Sequence, residues 1–114
     1  MSCVFCRIVS GEIPATIVAR SADAIAFRDL NPQAPTHVLV VPTKHVARLA
    51  ETDDEAGETV VAKTVRLAVQ TAHDLGLEEA GYRVVINNGE GAGQSVFHLH
   101  VHLLGGRRMG WPPG

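Results

Sequence analysis

Three histidines alternate with apolar residues near the end of the chain, in the segment His98-Leu99-His100-Val101-His102. Successive side chains of a β-strand point to opposite faces, so a strand over residues 98–104 would place all three imidazoles on one face. We expect the apolar face, which also carries Leu103, to pack against the core and the imidazoles to line a polar site. A single histidine would be typical of a solvent-exposed strand face, but three alternating histidines favour a functional site.

Two kinds of chemistry suit a row of imidazoles. A catalytic metal is the first, but along a strand the Cα atoms of His98 and His102 would lie about 13 Å apart. Imidazole nitrogens lie only about 2.0 to 2.1 Å from a zinc ion, so one ion cannot easily take all three side chains. The second is contact with an extended anionic group, with one neutral imidazole as nucleophile and its neighbours as hydrogen-bond donors. A phosphoryl group fits that description.

The loop before the histidines is rich in glycine. Gly89, Gly91 and Gly93 would let backbone N–H groups approach an anion, and Gln94 and Ser95 would add side-chain donors. The loop lacks the patterns of the common phosphate-binding glycine loops, so by itself it is equally typical of a plain hairpin connection.

The two cysteines, Cys3 and Cys6, have the spacing of half a zinc site. A tetrahedral zinc ion would need two further ligands. Two reduced thiols are the alternative, and a redox pair is less favoured because no strand precedes the cysteines as in thioredoxin-like motifs.

Composition narrows the function classes. The chain has 114 residues, which predicts a single domain over residues 1–114. It carries 10 basic against 12 acidic residues, so it lacks the positive field that binds a polynucleotide, whereas a mononucleotide stays possible. No stretch reaches the roughly 20 apolar residues that span a bilayer, and no signal-peptide pattern opens the chain. We expect a cytoplasmic protein that does not bind membranes.

Apolar periodicity predicts an α+β fold in which an antiparallel sheet packs against one long helix, with one short helix besides. The long helix should begin at a capping box formed by Thr52 and Glu55 and end at Gly76. The short helix is expected within residues 44–50. The predicted strands span residues 16–20, 24–29, 37–41, 82–87 and 98–104, and residues 110–114 form an irregular tail.

The sequence resembles the histidine-triad (HIT) family, and within it the histidine-triad nucleotide-binding (Hint) branch. The resemblance covers nearly the whole chain. Besides the histidine segment, it rests on Pro32-Gln33-Ala34-Pro35-Thr36-His37, Gly93-Gln94-Ser95-Val96, Gly105-Gly106-Arg107 and Trp111-Pro112-Pro113-Gly114.

The resemblance implies a HIT-like fold and the hydrolysis of purine nucleoside 5′-phosphoramidates through a covalent nucleotidyl-histidine, without a catalytic metal. The ligand would then be a purine mononucleotide or a nucleoside phosphoramidate. Three alternatives stay open: a dinucleotide polyphosphate hydrolase, a metal-dependent hydrolase that uses part of the histidine row, and a nucleotide-binding interaction module.

The same resemblance assigns roles to individual residues. His100 would be the nucleophile, His102 would hold phosphate oxygens, and His37 would support the site unless it is an ordinary core histidine. Asp29 would accept hydrogen bonds from the ribose hydroxyls, although it also suits a strand-end turn. Arg28 stands where many Hint proteins have a histidine. The remaining nucleotide contacts would be Phe5, Ile8, Phe27 and Leu30 around the base and Asn87, Gly93, Gln94 and Ser95 near the ribose, phosphate and leaving group.

Two further features follow from the resemblance. His45 and His98 would complete a structural zinc site with Cys3 and Cys6. The protein would be a homodimer in which Trp111 of one chain reaches the active site of the other, whereas a frayed terminus is the alternative.

Overall fold

The computed structural model describes residues 3–114, which form five strands and two α-helices. All strand pairs are antiparallel, and the strands lie in the order β1-β2-β3-β5-β4. The predicted α+β class is therefore confirmed. The elements are α1 (Val4–Val9), β1 (Ile17–Arg20), β2 (Ala24–Arg28), β3 (Thr36–Pro42), α2 (Glu55–Asp74), β4 (Tyr82–Val85) and β5 (Val101–Gly105).

The central strand, β3, separates two apolar clusters. Val38 and Val40 point to the side covered by α2, whereas Leu39 and Val41 point to the side that carries α1. This alternation explains why the strand is an almost continuous apolar run, since both of its faces are buried. The sheet thus has one face covered by the long helix and an opposite face on which a site can form.

Helix α2 begins at Glu55, two residues later than the predicted capping box would place its start. The carboxylate of Asp54 accepts a hydrogen bond from the backbone N–H of Gly57 at 2.7 Å, so Asp54 is the N-cap. The hydroxyl of Thr52 donates to the carbonyl oxygen of Leu49 instead, so the predicted pairing of Thr52 with Glu55 is wrong. The predicted end is confirmed, because Gly76 has a φ of 72° directly after the helix.

The short helix predicted over residues 44–50 is also wrong. Only a 3₁₀ turn forms there, at Leu49–Glu51. The carbonyl oxygens of Val46 and Ala47 accept hydrogen bonds from Leu99 and Gln94, so they do not serve a helix. The short helix of the fold is α1, which places the two cysteines beside the sheet.

Strand β5 begins at Val101, three residues later than predicted. Val40 pairs with Val101, and in the same register Pro42 would lie opposite Leu99. Proline has no N–H to continue the ladder, and the N–H of Leu99 donates to Val46 at 2.6 Å. The alternation survives, because Leu99, Val101 and Leu103 are buried as expected. Among the described residues, no helix is long and apolar enough to cross a membrane.

Candidate active site

A cleft of about 320 Å³ opens on the face of the sheet that carries α1. Its walls are mostly apolar, and its polar groups gather at one end, which is typical of a small-molecule site. The cleft brings together eight of the residues that the sequence predicted for a nucleotide site: Phe5, Ile8, Phe27, Asp29, Leu30, Ser95, His100 and His102.

Several residues of the wall were not anticipated. The segment Ile13–Thr16 also lines the cleft. Strand β1 pairs with β2, with Ile17 opposite Phe27, and this pairing places the residues before Ile17 beside the cleft wall. Val4, Leu39, Val96 and Arg28 complete the lining. A helical spacing of the apolar residues in 4–9, followed by a glycine, was the signal that could have revealed α1.

The imidazole of His100 is buried against the chain and held by one backbone contact. Its Nδ1 lies 2.8 Å from the carbonyl oxygen of His98, which can only accept a hydrogen bond. The neutral ring therefore carries its proton on Nδ1, and Nε2 keeps a free lone pair. The edge of His100 also packs against Phe5, with ring centroids 5.1 Å apart. His100 has the tautomer that a nucleophile needs.

The imidazole of His102 has the opposite tautomer. The backbone N–H of Gln33 donates to Nδ1 of His37 at 3.0 Å, which leaves the His37 proton on Nε2. That Nε2 lies 2.9 Å from Nδ1 of His102 and donates to it. His102 therefore carries its own proton on Nε2. The ring centroids of His100 and His102 are 5.0 Å apart, so a bare nitrogen and an N–H donor lie side by side in the cleft.

Burial keeps the rings of His102 and His37 neutral. Removal from water, together with the neighbouring His100 and His37, lowers the pKa of His102 to about 4, although Asp29 acts in the opposite direction. Burial also lowers the pKa of His37, and the negative charge of Asp29 again opposes the change. His102 and His37 are therefore neutral near pH 7, as the hydrogen-bonded chain from Gln33 through His37 to His102 requires.

Asp29 lies where this chain of hydrogen bonds meets the cleft. One carboxylate oxygen accepts from the N–H of Asn31 at 2.8 Å, and the other lies 3.4 Å from Nε2 of His37. Asp29, His37 and His102 are close enough to share a metal ion. The proton on Nε2 of His37 occupies the position that an ion would need, so the geometry favours hydrogen bonding at these three residues. The carboxylate remains available to accept from a diol.

Four further side chains form a cluster beside the cleft: Cys3, Cys6, His45 and His98. Their candidate ligand atoms all lie within 4.8 Å of one another. The sulfur of Cys6 is 3.3 Å from Nδ1 of His45 and 3.5 Å from Nδ1 of His98, and these two nitrogens are 3.1 Å apart. A tetrahedral zinc ion with ordinary bond lengths would need sulfur–nitrogen edges of about 3.5 Å and a nitrogen–nitrogen edge of about 3.3 Å.

The outer contact of His98 also fits a metal ligand. Its Nε2 donates to the carbonyl oxygen of Pro42 at 2.8 Å, which leaves the lone pair on Nδ1 directed at the cysteines. Burial lowers the pKa of His98, the hydrogen bond to Pro42 opposes this change, and the neighbouring His45 and His100 add to the lowering. The residues present therefore match the donor set, the size and the ring orientation of a closed zinc site.

The other predicted site residues lie outside the cleft lining. His37 lies behind His102, and Gly93 follows a 3₁₀ turn with a φ of 94°. Gln94 is buried, and its amide N–H groups donate to the carbonyl oxygens of Ala47 and Val96, so no side-chain donor is left for a phosphate. Asn87 and Trp111 are also absent from the lining, and Trp111 is 84% exposed.

Comparison with known proteins identifies the family. The protein-family model for the HIT domain matches residues 10–109 of the sequence. The chain is 47% identical to a 14 kDa zinc-binding protein of Zea mays, over 97% of this chain and 87% of that protein. A HIT family hydrolase of Legionella pneumophila Philadelphia 1 has a TM-score of 0.94 and 48% identity, over 99% of this chain and 100% of that chain.

The fold is also similar to that of a nucleotide-binding protein with lower sequence identity. The histidine triad nucleotide-binding protein of Candida albicans has a TM-score of 0.82 and 33% identity, over 99% of this chain and 85% of that chain. The matched region includes the histidine segment, the hydrogen-bonded chain behind it and the cleft wall formed by β2. The chain therefore belongs to the HIT family.

Proposed function

We propose that this HIT protein hydrolyses purine nucleoside 5′-phosphoramidates through a covalent nucleotidyl-histidine. The observation that carries the proposal is the pair of opposite tautomers in one cleft, with a free Nε2 on His100 and an N–H on Nε2 of His102. A hydrolase and a nucleotide-binding protein among the structural relatives support the reaction class and the ligand class.

The first step forms a bond between Nε2 of His100 and the α-phosphorus and breaks the phosphorus–nitrogen bond. The departing nitrogen takes up a proton from the solvent and leaves as an amine. The N–H of His102 stabilises a non-bridging phosphate oxygen as charge develops there. Ser95, at the rim of the cleft, lies on the leaving-group side in this arrangement. Water then attacks the phosphorus and gives up a proton to the solvent while the bond to Nε2 breaks, which releases the nucleoside monophosphate and restores His100.

The rest of the cleft suits a purine nucleoside. The apolar wall formed by Phe5, Ile8 and Phe27 would hold the base, with Leu30 at the rim. The carboxylate of Asp29 would accept hydrogen bonds from the two ribose hydroxyls. Asn87 and Gly93 would lie near the ribose and phosphate, whereas Gln94 would support the loop from behind because its amide N–H groups are already used.

Replacing His100 with alanine should reduce phosphoramidate turnover by a factor on the order of 10³ or more, as is usual when a nucleophile is lost. The affinity for adenosine 5′-monophosphate should change by less than about tenfold, since only one ring is removed from an apolar cleft. Steady-state kinetics and calorimetry measure the two quantities. His73→Ala, an exposed histidine paired with Glu78, is the control and should behave as wild type. Substantial turnover by His100→Ala would refute the covalent mechanism.

The cysteine cluster belongs to the same proposal, as a structural zinc site. Cys3, Cys6, His45 and His98 would fill all four positions, which leaves no open coordination site for chemistry. The ion would hold the segment before His100 in place. The zinc-binding relative from Zea mays supports this assignment.

Protein purified without added zinc should contain about one zinc ion per chain. The double substitution Cys3→Ser and Cys6→Ser should abolish binding because it removes both thiolates, whereas His73→Ala should retain the full content. Elemental analysis by mass spectrometry decides the matter. The proposed zinc site would be refuted if the wild-type protein contained no zinc, or if the double variant kept the zinc content of the wild type.

The C-terminal tail would act across a homodimer. Arg83 of the edge strand β4 donates to the carbonyl oxygen of Gly110 at 2.7 Å, which holds the exposed Trp111 beside that edge. Large exposed aromatic side chains are common anchors of interfaces. In a two-fold dimer, each tail would then approach the active site of the other chain.

Removal of residues 110–114 should leave the dimer intact, since five residues are a small part of a stable interface. The preference among phosphoramidates with small and bulky amine leaving groups should change, because Trp111 would no longer approach that part of the site. Light scattering and competition kinetics provide the two readouts. The proposal for the tail is refuted by a monomeric full-length protein or by an unchanged preference.

A further inference from the structure

Helix α1 contributes to both the cysteine cluster and the cleft. Cys3 caps the helix and Cys6 lies in its first turn, and both sulfurs belong to the cluster. Phe5, which lies between the two cysteines, and Ile8, which follows them, line the cleft. Helix α1 and its N-cap residue therefore carry half of the proposed metal ligands and part of the proposed base-binding wall.

The helix has little stability of its own. Isolated helices shorter than about 12 to 15 residues are marginal in water. The backbone N–H of Cys6 is capped by the sulfur of Cys3 at 3.4 Å, and a thiol is a weak acceptor. The ion pair between Arg7 and Glu12 is exposed on both sides, so it adds little. The position of α1 therefore depends on its contacts with the rest of the protein.

One of these contacts is the packing of Phe5. This ring is buried, and it meets His98, His100 and Phe27 edge to face, with centroids 5.9, 5.1 and 5.6 Å apart. Phe5 therefore contacts a cluster residue, the proposed nucleophile and the cleft wall at once. A shift of α1 away from the sheet would move this ring away from all three.

The second contact is the cluster itself. Without an ion, its sulfurs reach His45 and His98 only through weak S–H hydrogen bonds. With an ion, the same atoms would be joined by coordinate bonds, whose free energy adds directly to the stability of the segments that carry the ligands. Occupancy of the cluster would therefore add to the apolar packing that holds α1 against the sheet.

We propose that metal binding at the cysteine cluster and nucleotide binding in the cleft are coupled through α1, with Phe5 as the positioning residue that transmits the effect. An ion at the cluster fixes α1, which holds Phe5 and Ile8 in the cleft wall and Phe5 against His100. The inference rests on the proposed function, since it takes a nucleotide and a zinc ion as the two ligands. Coupling is reciprocal, so each ligand tightens the binding of the other by the same factor.

Calorimetry with adenosine 5′-monophosphate as the probe tests the coupling in the wild-type protein. Chelation of zinc should weaken nucleotide binding by about fivefold or more, the lower end of ordinary coupling between sites. In the reverse experiment, a saturating concentration of the nucleotide should increase zinc affinity by the same factor, measured by competition with a coloured chelator. Equal nucleotide affinity with and without zinc would overturn the coupling.

Hydrogen exchange separates local coupling from general unfolding. Zinc removal should accelerate exchange of the backbone amides of residues 4–9, whereas those of β3 and β5 should stay protected. A loss of protection across the whole sheet would overturn the local explanation. Failure of the zinc-loaded protein to bind the nucleotide at all would instead refute the proposed function, so the two failures are distinguishable.

A pair of variants tests the role of Phe5. Phe5→Leu keeps an apolar side chain but removes the edge contacts, so the protein should retain its zinc while the coupling factor falls towards one. Ser10→Ala, at the end of the same helix and outside both sites, is the matched control and should keep the full factor. An undiminished coupling in Phe5→Leu would exclude Phe5 as the transmitting residue.

Discussion

The hydrogen bond from Nδ1 of His100 to the carbonyl oxygen of His98 is the interaction on which the site depends. It sets the tautomer of one imidazole through the backbone of another histidine, and thereby leaves Nε2 of His100 free. The side chain of His98 is itself fixed by Pro42 and directed at the cysteines. The proposed nucleophile is thus oriented by the backbone of the same residue whose side chain belongs to the cysteine cluster, which makes His98 the junction of the two sites.

The sheet makes this junction possible because its two faces have separate tasks. Helix α2 covers one face with an apolar cluster that includes Val38, Val40 and Leu103. The opposite face is free to carry the cleft, and His102 projects from β5 on that side. The chain of hydrogen bonds from Gln33 through His37 reaches His102 on this same face, because His37 alternates with Val38 along β3. Strands β5 and β3 therefore hold the imidazoles of His102 and His37, whereas part of the cleft wall depends on the short helix α1.

Local patterns were sufficient for the parts of this arrangement that depend on alternation or spacing. The apolar contacts of Leu99, Val101 and Leu103 followed from the two-residue period, and Gly76 marked the end of α2. The start of β5 did not follow, because it depends on Pro42 lying opposite Leu99 in a neighbouring strand. The inward turn of Gln94 was equally hidden, since its partners Ala47 and Val96 come together only in the folded chain.

The central claim is that His100 becomes covalently bound to the nucleotide during turnover. Mass spectrometry of a rapidly quenched reaction with adenosine 5′-phosphoramidate tests it most directly. We expect an acid-labile adenylyl group on the peptide that contains His100, and we expect its rates of formation and decay to be consistent with the measured turnover rate. Full turnover without any adduct, or an adduct located on His102 instead, would contradict it.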